Sequence, residues 1–283
     1  MLVALTGASG FVGSHTAASL ARRGHRVRAL VRRASRRDHI EPYVAEWVVG
    51  EQHDPQVLAG LVAGAEVVIH NAFDWDALEF GPVPSFEKNL MASLRLLESA
   101  RLAGVEQFIF VSSVAVHHEI VNPGRSGAAN LIDETHPTWP SGIYGACKAA
   151  VEAHLKAYFH GFGMNTSAWR PAAIYGIDPV LPSSQWYDLV RRVRDGQEVD
   201  EPRGGKITHV KDVADALALA VGDEQVAGGL FNLVDGYLYN EEVARMAAEI
   251  CGSGSRIVPR MGQGPRNQFD TSRAVAFFAR HGV

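Results

Sequence analysis

Tyr144 and Lys148 stand four residues apart in a segment of helical pattern, Tyr144-Gly-Ala-Cys-Lys148, a spacing that sets both side chains on one helix face. An ammonium beside a phenol favours the phenolate and lowers the tyrosine pKa. That suits a group exchanging a proton with a carbonyl–alcohol pair. Arginine would not serve equally well, because the site needs a compact ammonium that can also reach ribose hydroxyls. Upstream lies Phe108-Ile-Phe-Val111-Ser112-Ser113, an apolar strand ending in two serines. It puts alcohols at the carboxyl edge of a sheet, where open α/β folds hold ligands, and one of them could hold a substrate oxygen against the phenol. The third group of residues is the turn Gly7-Ala-Ser9-Gly10-Phe11-Val12-Gly13, which directly ends the apolar run Leu2–Thr6 and opens a helix-like segment. Glycines let the backbone approach a pyrophosphate there, and the helix N-terminus offers unpaired N–H groups and a positive dipole end.

These residues need a scaffold of alternating strands and helices, and the chain supplies one. Strand-like runs fall at Leu2–Thr6, Val27–Val31, Trp47–Val49, Val67–Asn71, Gln107–Ser112 and Thr166–Arg170. Helical patterns lie between them near 11–23, 55–63, 85–103 and 142–161. Alternation of this kind predicts right-handed crossovers and a parallel sheet covered on both faces. Later segments read as an amphipathic helix over 182–196, a strand over 207–210, a helix over 211–222, a strand over 230–233 and a helix over 240–251. Pro and Gly punctuation at 171–182, 202–205 and 259–265 suggests passage between the main sheet and a smaller lobe. His118–Asp133, rich in Gly, Asn, Ser and Pro, is expected to be a mobile loop.

With 283 residues, 47% hydrophobic and 20% charged, the chain can bury a full α/β core and a small appended lobe. A net charge of −4 gives no global field for nucleic acid or membranes, and neither is expected as a partner. No apolar run reaches membrane-spanning length, and the opening strand has no charged leader before it, so a signal peptide is not expected. Two cysteines, Cys147 and Cys251, give neither a disulfide framework nor a zinc spacing, and a cytoplasmic location is expected. His117-His118-Glu119 does not suggest a metal either, because adjacent histidines on an extended chain point oppositely.

Taken together, these motifs resemble the extended short-chain dehydrogenases/reductases, the NAD(P)-dependent epimerase/dehydratase-like family, over nearly the whole chain. The family's Thr-Gly-x-x-Gly-x-x-Gly corresponds to Thr6–Gly13, and its Ser-Tyr-Lys triad to Ser113, Tyr144 and Lys148. The resemblance places Asn89 where relatives support a proton-relay water. Arg170-Pro171-Ala-Ala-Ile174-Tyr-Gly176 corresponds to the segment whose backbone meets the nicotinamide amide. It also implies cofactor contacts from Asn71, Ala72 and Phe73 after the fourth strand, from Val111, and from Glu51 and Gln52 toward the adenine. His209-Val-Lys-Asp212 and Phe231-Asn-Leu-Val-Asp-Gly236 match two further signatures, read as structural. The implied fold is α/β, a Rossmann-like doubly wound parallel sheet with a smaller C-terminal substrate lobe. Residues 1–170 would form the dinucleotide-binding domain, with 207–234 returning to it, and 171–206 and 235–283 the lobe. Relatives dimerise through the helices near 85–103 and 142–161, and the smooth face of Ala149, Ala150, Ala153 and Ala157 is compatible with a homodimer.

Cofactor choice is carried by the second strand. Its end bears Arg32-Arg33 and no carboxylate, and guanidiniums suit a 2′-phosphate through charge-assisted bonds. NADP(H) is therefore expected over NAD(H), with Arg32 the phosphate partner and Arg33 its helper. This resembles the dihydroflavonol-reductase-like branch.

Departures from the family pattern bear on substrate. The Asp-Glu pair of dehydratases is Val114-Ala115 here, and neither residue can move a proton. The arginine and asparagine that grip a nucleotide sugar's diphosphate are replaced by Gly205 and Ala173, unless Lys206 or Arg203 substitutes. Phe73, Trp75, Trp139, Tyr175, Trp186 and Tyr187 suggest a small or apolar pocket. The expectation is a hydride-transferring oxidoreductase acting on a small carbonyl or hydroxyl substrate. The alternatives are a sugar or nucleotide-sugar epimerase with NAD kept bound, and a non-catalytic dinucleotide-sensing regulator.

Overall fold

The structure is a computed structural model, and it describes residues 1–120, 131–259 and 267–283. Seven parallel strands form the main sheet: β1 (Leu2–Thr6), β2 (Arg26–Val31), β3 (Glu46–Val49), β4 (Val67–His70), β5 (Gln107–Val111), β6 (Asn165–Pro171) and β9 (Leu230–Leu233). Their order is β3-β2-β1-β4-β5-β6-β9, so the chain reverses direction across the sheet between β1 and β4. That reversal opens a crevice at the strands' carboxyl ends. Both β1 and β5 are apolar almost end to end because helices cover each face.

On one face α1 (Phe11–Arg22) packs against α7 (Val210–Leu219), over a core that includes Val3, Leu20, Val27 and Leu217. On the other, α2 (Pro55–Val62), α4 (Ala92–Leu102) and α5 (Ile143–Phe162) cover Leu58, Leu97, Phe108 and Val151. The end of the first core is closed by α9 (Ser272–Arg280), whose Phe277 is buried edge-on against Trp169 at 4.8 Å. Trp169 in turn stacks on Phe231 at 4.1 Å.

A second, three-stranded sheet has the order β10-β8-β7, from β7 (Ala173–Tyr175), β8 (Gly204–His209) and β10 (Gly236–Tyr239). Beside it α6 (Tyr187–Arg194) packs on α8 (Asn240–Cys251) through Leu189, Val193, Val243 and Ala247.

Several local expectations are corrected. The helix expected over 182–196 is shorter, because Trp186 takes a left-handed conformation with φ 66° and interrupts it before α6. The single helix expected over 85–103 is instead α3 (Pro82–Ser85), a one-turn π segment over Phe86–Met91, and α4. The strands β7 and β10 and the helix α9 were not expected. Of the segment expected to be mobile, 121–130 lies outside the described residues.

Candidate active site

The reversal between β1 and β4 holds a cleft of about 920 Å³. Its floor begins where β1 ends. Gly7 adopts φ 67°, and a Cβ there would press within 3.0 Å of the Ala72 backbone and the Asn71 amide. Gly13 lies still closer to the turn, since a Cβ on it would come 2.0 Å from the Gly7 carbonyl oxygen. Glycine at both positions lets α1 begin directly above the turn. The helix start has no side-chain cap and no acidic residue in its first turn, so its N–H groups face the cleft with their positive dipole end uncompensated. Gly7, Ser9, Gly10, Phe11 and Val12 line this end; Gly13 contributes by packing alone.

The carboxyl ends of the other strands add the remaining walls. Glu51 and Gln52 follow β3, Asn71, Ala72 and Phe73 follow β4, and Val111 closes β5, while Pro171 ends β6 and Ile174 lies in β7 of the second sheet. Beyond β2 the cleft is lined by Arg32, Ser35, Arg36 and His39. Arg33 is a correction: it is exposed and does not line the cleft. The reason is the turn after β2, in which Ser35 N–H donates to the Arg32 carbonyl and Arg32 N–H to the Ser35 hydroxyl. This turn brings back residues three and four positions on, so Ser35 and Arg36 line the cleft beside Arg32. Sequence reasoning missed Ser35, Arg36 and His39, and the only available signal was the third arginine of the same run.

Tyr144, Lys148 and Ser113 meet at the far wall. Gly145 makes this possible, because a Cβ there would come 2.6 Å from the Ala115 carbonyl oxygen. Its absence lets the first turn of α5 lie against the segment that follows β5. The Ser113 side chain lies beside the Tyr144 phenol on this wall, and Ser113 Oγ accepts from the Ala115 N–H at 3.1 Å. The neighbouring Ser112 turns away and donates to Glu152 at 2.5 Å. Burial pushes the Tyr144 phenol above its usual range, against a smaller opposing pull from Ser113.

The expectation that Lys148 lowers this phenol's pKa meets a different geometry. Lys148 is buried, donates to the Val111 carbonyl at 2.6 Å, and lies 4.6 Å from the Phe110 ring centre. Its desolvation pulls its own pKa down to about 7.

Asn89 stands outside the main cleft. Its side-chain amide bonds the backbone of Asp74 in both directions, accepting from the N–H at 2.6 Å and donating to the carbonyl at 3.0 Å. It borders a cavity of about 10 Å³ shared with Lys148, about the space one water needs. Its backbone carbonyl accepts from Ser93 Oγ, whose oxygen bonds His70 Nε2, while His70 Nδ1 bonds Thr6 Oγ1. Since Ser93 spends its single proton on Asn89, His70 carries its own on Nε2 and accepts from Thr6. Burial, with a smaller effect from Lys148, lowers the His70 pKa to about 3.

Of the six aromatic residues expected near substrate, two line the cleft. Trp75 stacks on Tyr144 at 4.8 Å and 24°, and Phe73 meets the same ring edge-on at 5.0 Å. The other four are corrections. Trp139 is exposed, Tyr175 and Trp186 pack on one another at 5.5 Å, and Tyr187 begins α6 away from the cleft. Lys206 is likewise occupied, donating to Asn267 at 2.6 Å, and neither it nor Arg203 lines the cleft. His117 bonds Arg170 and the Pro137 carbonyl, and among the described residues no group of three or more His, Cys, Asp or Glu could hold a metal ion. Among them also, no helix is long and apolar enough to cross a membrane.

Residues 3–233 match the family model described as the NAD dependent epimerase/dehydratase family. The chain is 30% identical over 238 residues to the 4-hydroxy-2-methyl-3-oxo-4-farnesyl-3,4-dihydroquinoline-1-oxide ketoreductase of Stigmatella aurantiaca, covering 82% of this chain and 67% of that one. It is 28% identical over 182 residues to a dihydroflavonol 4-reductase-like protein of Synechocystis sp., of which it spans about half the length (64% of this chain, 49% of that one). Among solved structures, the UDP-glucose 4-epimerase of Thermus thermophilus in complex with NAD superposes with a TM-score of 0.78. That pair is 27% identical and covers 100% of this chain and 93% of the other.

Proposed function

The chain belongs to the NAD dependent epimerase/dehydratase family, and from that premise we propose that it is an NADP(H)-dependent reductase of a carbonyl compound bearing no nucleotide diphosphate. One observation carries the reading: Tyr144, Ser113 and Lys148 come together on the wall of a cleft whose floor is the glycine turn. The turn fits a dinucleotide, because its glycines keep backbone N–H groups clear of side chains at an uncapped helix start. When bound there, the nicotinamide cofactor supplies the hydride. Ser113 holds the substrate oxygen and Tyr144 gives it a proton. Lys148 meets the ribose hydroxyls and, when charged, favours the phenolate left behind. Asn89 lies on the route by which that proton is resupplied. Arg32, Ser35 and Arg36 take the 2′-phosphate, which favours NADP(H).

The epimerase reading draws on the likeness to the UDP-glucose 4-epimerase. Against it stand Gly205 and Ala173 where diphosphate grips were expected, and Arg32 at the end of the second strand. We also propose a cytoplasmic homodimer, supported by two free cysteines and by exposed Leu102 and Phe162 on α4 and α5.

The test is NADPH oxidation followed with a panel of ketones, for the natural chain and Tyr144→Phe. The variant is expected to lose turnover by about 10³-fold, the scale of a general acid's contribution, while NADPH binding persists. Near-normal turnover in the variant overturns the assignment. Isomerisation of a sugar with the cofactor retained would establish the epimerase instead.

A further inference from the structure

Large apolar side chains face solvent along two stretches that each reach the cleft. On one side, the stretch 75–86 exposes Trp75, Phe80, Val83 and Phe86, with Phe80 71% accessible. On the other, the loop 177–181 exposes Ile177, Val180 and Leu181, with Ile177 72% accessible. The two walls are continuous with the cleft interior, since Trp75 and Val180 also line it and Trp75 stacks on the proton donor. Between them the reacting end is walled by Val114 and Ala115.

Both walls are held in place by hydrogen bonds. Asn89 grips Asp74, and the Asp74 carboxylate accepts from the Ala77 N–H. In the facing loop the Ile177 carbonyl bonds His15 at 2.9 Å, and the Asp178 carboxylate accepts from the Val180 N–H at 2.7 Å. Frames of this kind keep apolar groups in water that collapse would otherwise hide, and exposed apolar patches of such extent mark binding surfaces. The charges nearby narrow the occupant. The stretch carries Asp76 and Glu79, Glu87 follows it, and the nearby Lys88 pairs with Asp74. An anionic headgroup or an anionic bilayer would be repelled there.

We propose that the substrate is a neutral amphiphile whose hydrocarbon chain leaves the cleft past Trp75 and lies between the stretch 75–86 and the loop 177–181. This rests on the reductase reading and names the substrate class of that same site.

The test uses methyl ketones from 2-butanone to 2-dodecanone as substrates, and the matching 1-alkanols as ligands whose binding is followed by calorimetry on the NADPH-loaded protein. The variants are F80S/V83S and L181S, which lie outside the catalytic and cofactor contacts. In the natural chain, kcat/KM and alkanol affinity should climb about two- to fourfold per methylene, the range between partial and full burial of a CH2 group. In the variants that slope should flatten while kcat/KM for 2-butanone stays unchanged. Equal affinity along the series, or variants with an undiminished slope, overturns the proposal. So does variant-sensitive binding to phosphatidylcholine vesicles, or variant-sensitive self-association, without a chain-length slope. If alkanols show the slope but no ketone is reduced, the tail site stands and the reductase reading falls. If ketones are all reduced alike, the reverse holds.

Discussion

Tyr144 works in a nest of three neighbours with different effects on its proton. Trp75 and Phe73 remove water from its ring and raise the cost of the phenolate, while the neighbouring Ser113 hydroxyl offsets part of that cost. Lys148 lies 5.8 Å from the centre of the Tyr144 ring and donates its hydrogen bond to the Val111 carbonyl. The arginine at the other end of the cleft is open to a direct test. Arg36→Ala should weaken NADPH binding about tenfold, the loss of one charge-assisted hydrogen bond, and leave NADH binding unchanged. Parallel fluorescence titrations of the two cofactors measure this, and an equal loss for both would remove Arg36 from the phosphate site. The triad positions were legible in the sequence because a helix spacing of four and a strand end each dictate where a side chain emerges. Arg36 was not legible, because a hydrogen-bonded turn has no period from which to read its facing. Nor could spacing reveal which acceptor the Lys148 side chain would choose.

The strand that carries the serines and the helix that carries the tyrosine are tied to β6 by one buried ion pair. Arg170 meets Glu152 through two bonds, at 2.8 and 2.6 Å, Ser112 donates to the same carboxylate, and the guanidinium also donates to His117 Nε2. Because an arginine can only donate, His117 carries its proton on Nδ1 and gives it to the Pro137 carbonyl. Arg170→Met would leave Glu152 buried without its counter-charge, and urea unfolding should show a loss of about 3–5 kcal/mol. The double variant Arg170→Met/Glu152→Leu should recover most of that loss, and failure to do so would mean the pair itself, not the stranded charge, sets the stability. Elements of the main sheet were legible because buried parallel strands are unbroken apolar runs. The half-buried β7 and β10, of three and four residues, lack such a run and exist through pairing with the distant β8. The helix over 182–196 was overestimated because its apolar period continues through Trp186, whose left-handed backbone no periodicity reveals.

Across the whole molecule, buried neutral histidines link folding to pH. Burial lowers His70 to about 3, and burial with the neighbouring Arg170 lowers His117 to about 4, against an ordinary value of 6.5. Above pH 6.5 both are neutral folded or unfolded, so neither affects stability. As pH falls below 6.5 the unfolded chain takes up protons that the folded chain refuses. Stability should therefore drop by about 1.4 kcal/mol per pH unit for each such histidine, down to about pH 4 for His117 and about pH 3 for His70. Urea unfolding at a series of pH values tests this, and a flat unfolding free energy from pH 6.5 to 4 would refute it. The aromatic closure by α9 reaches further than any local contact. Phe277 shares a core with Val3, so the packing of β1 on that face is finished only by a helix far downstream of it in the chain. Until residue 277 has been made, the indole of Trp169 lacks a cover on that side, and the nascent sheet is at its most vulnerable to chaperone capture and proteolysis.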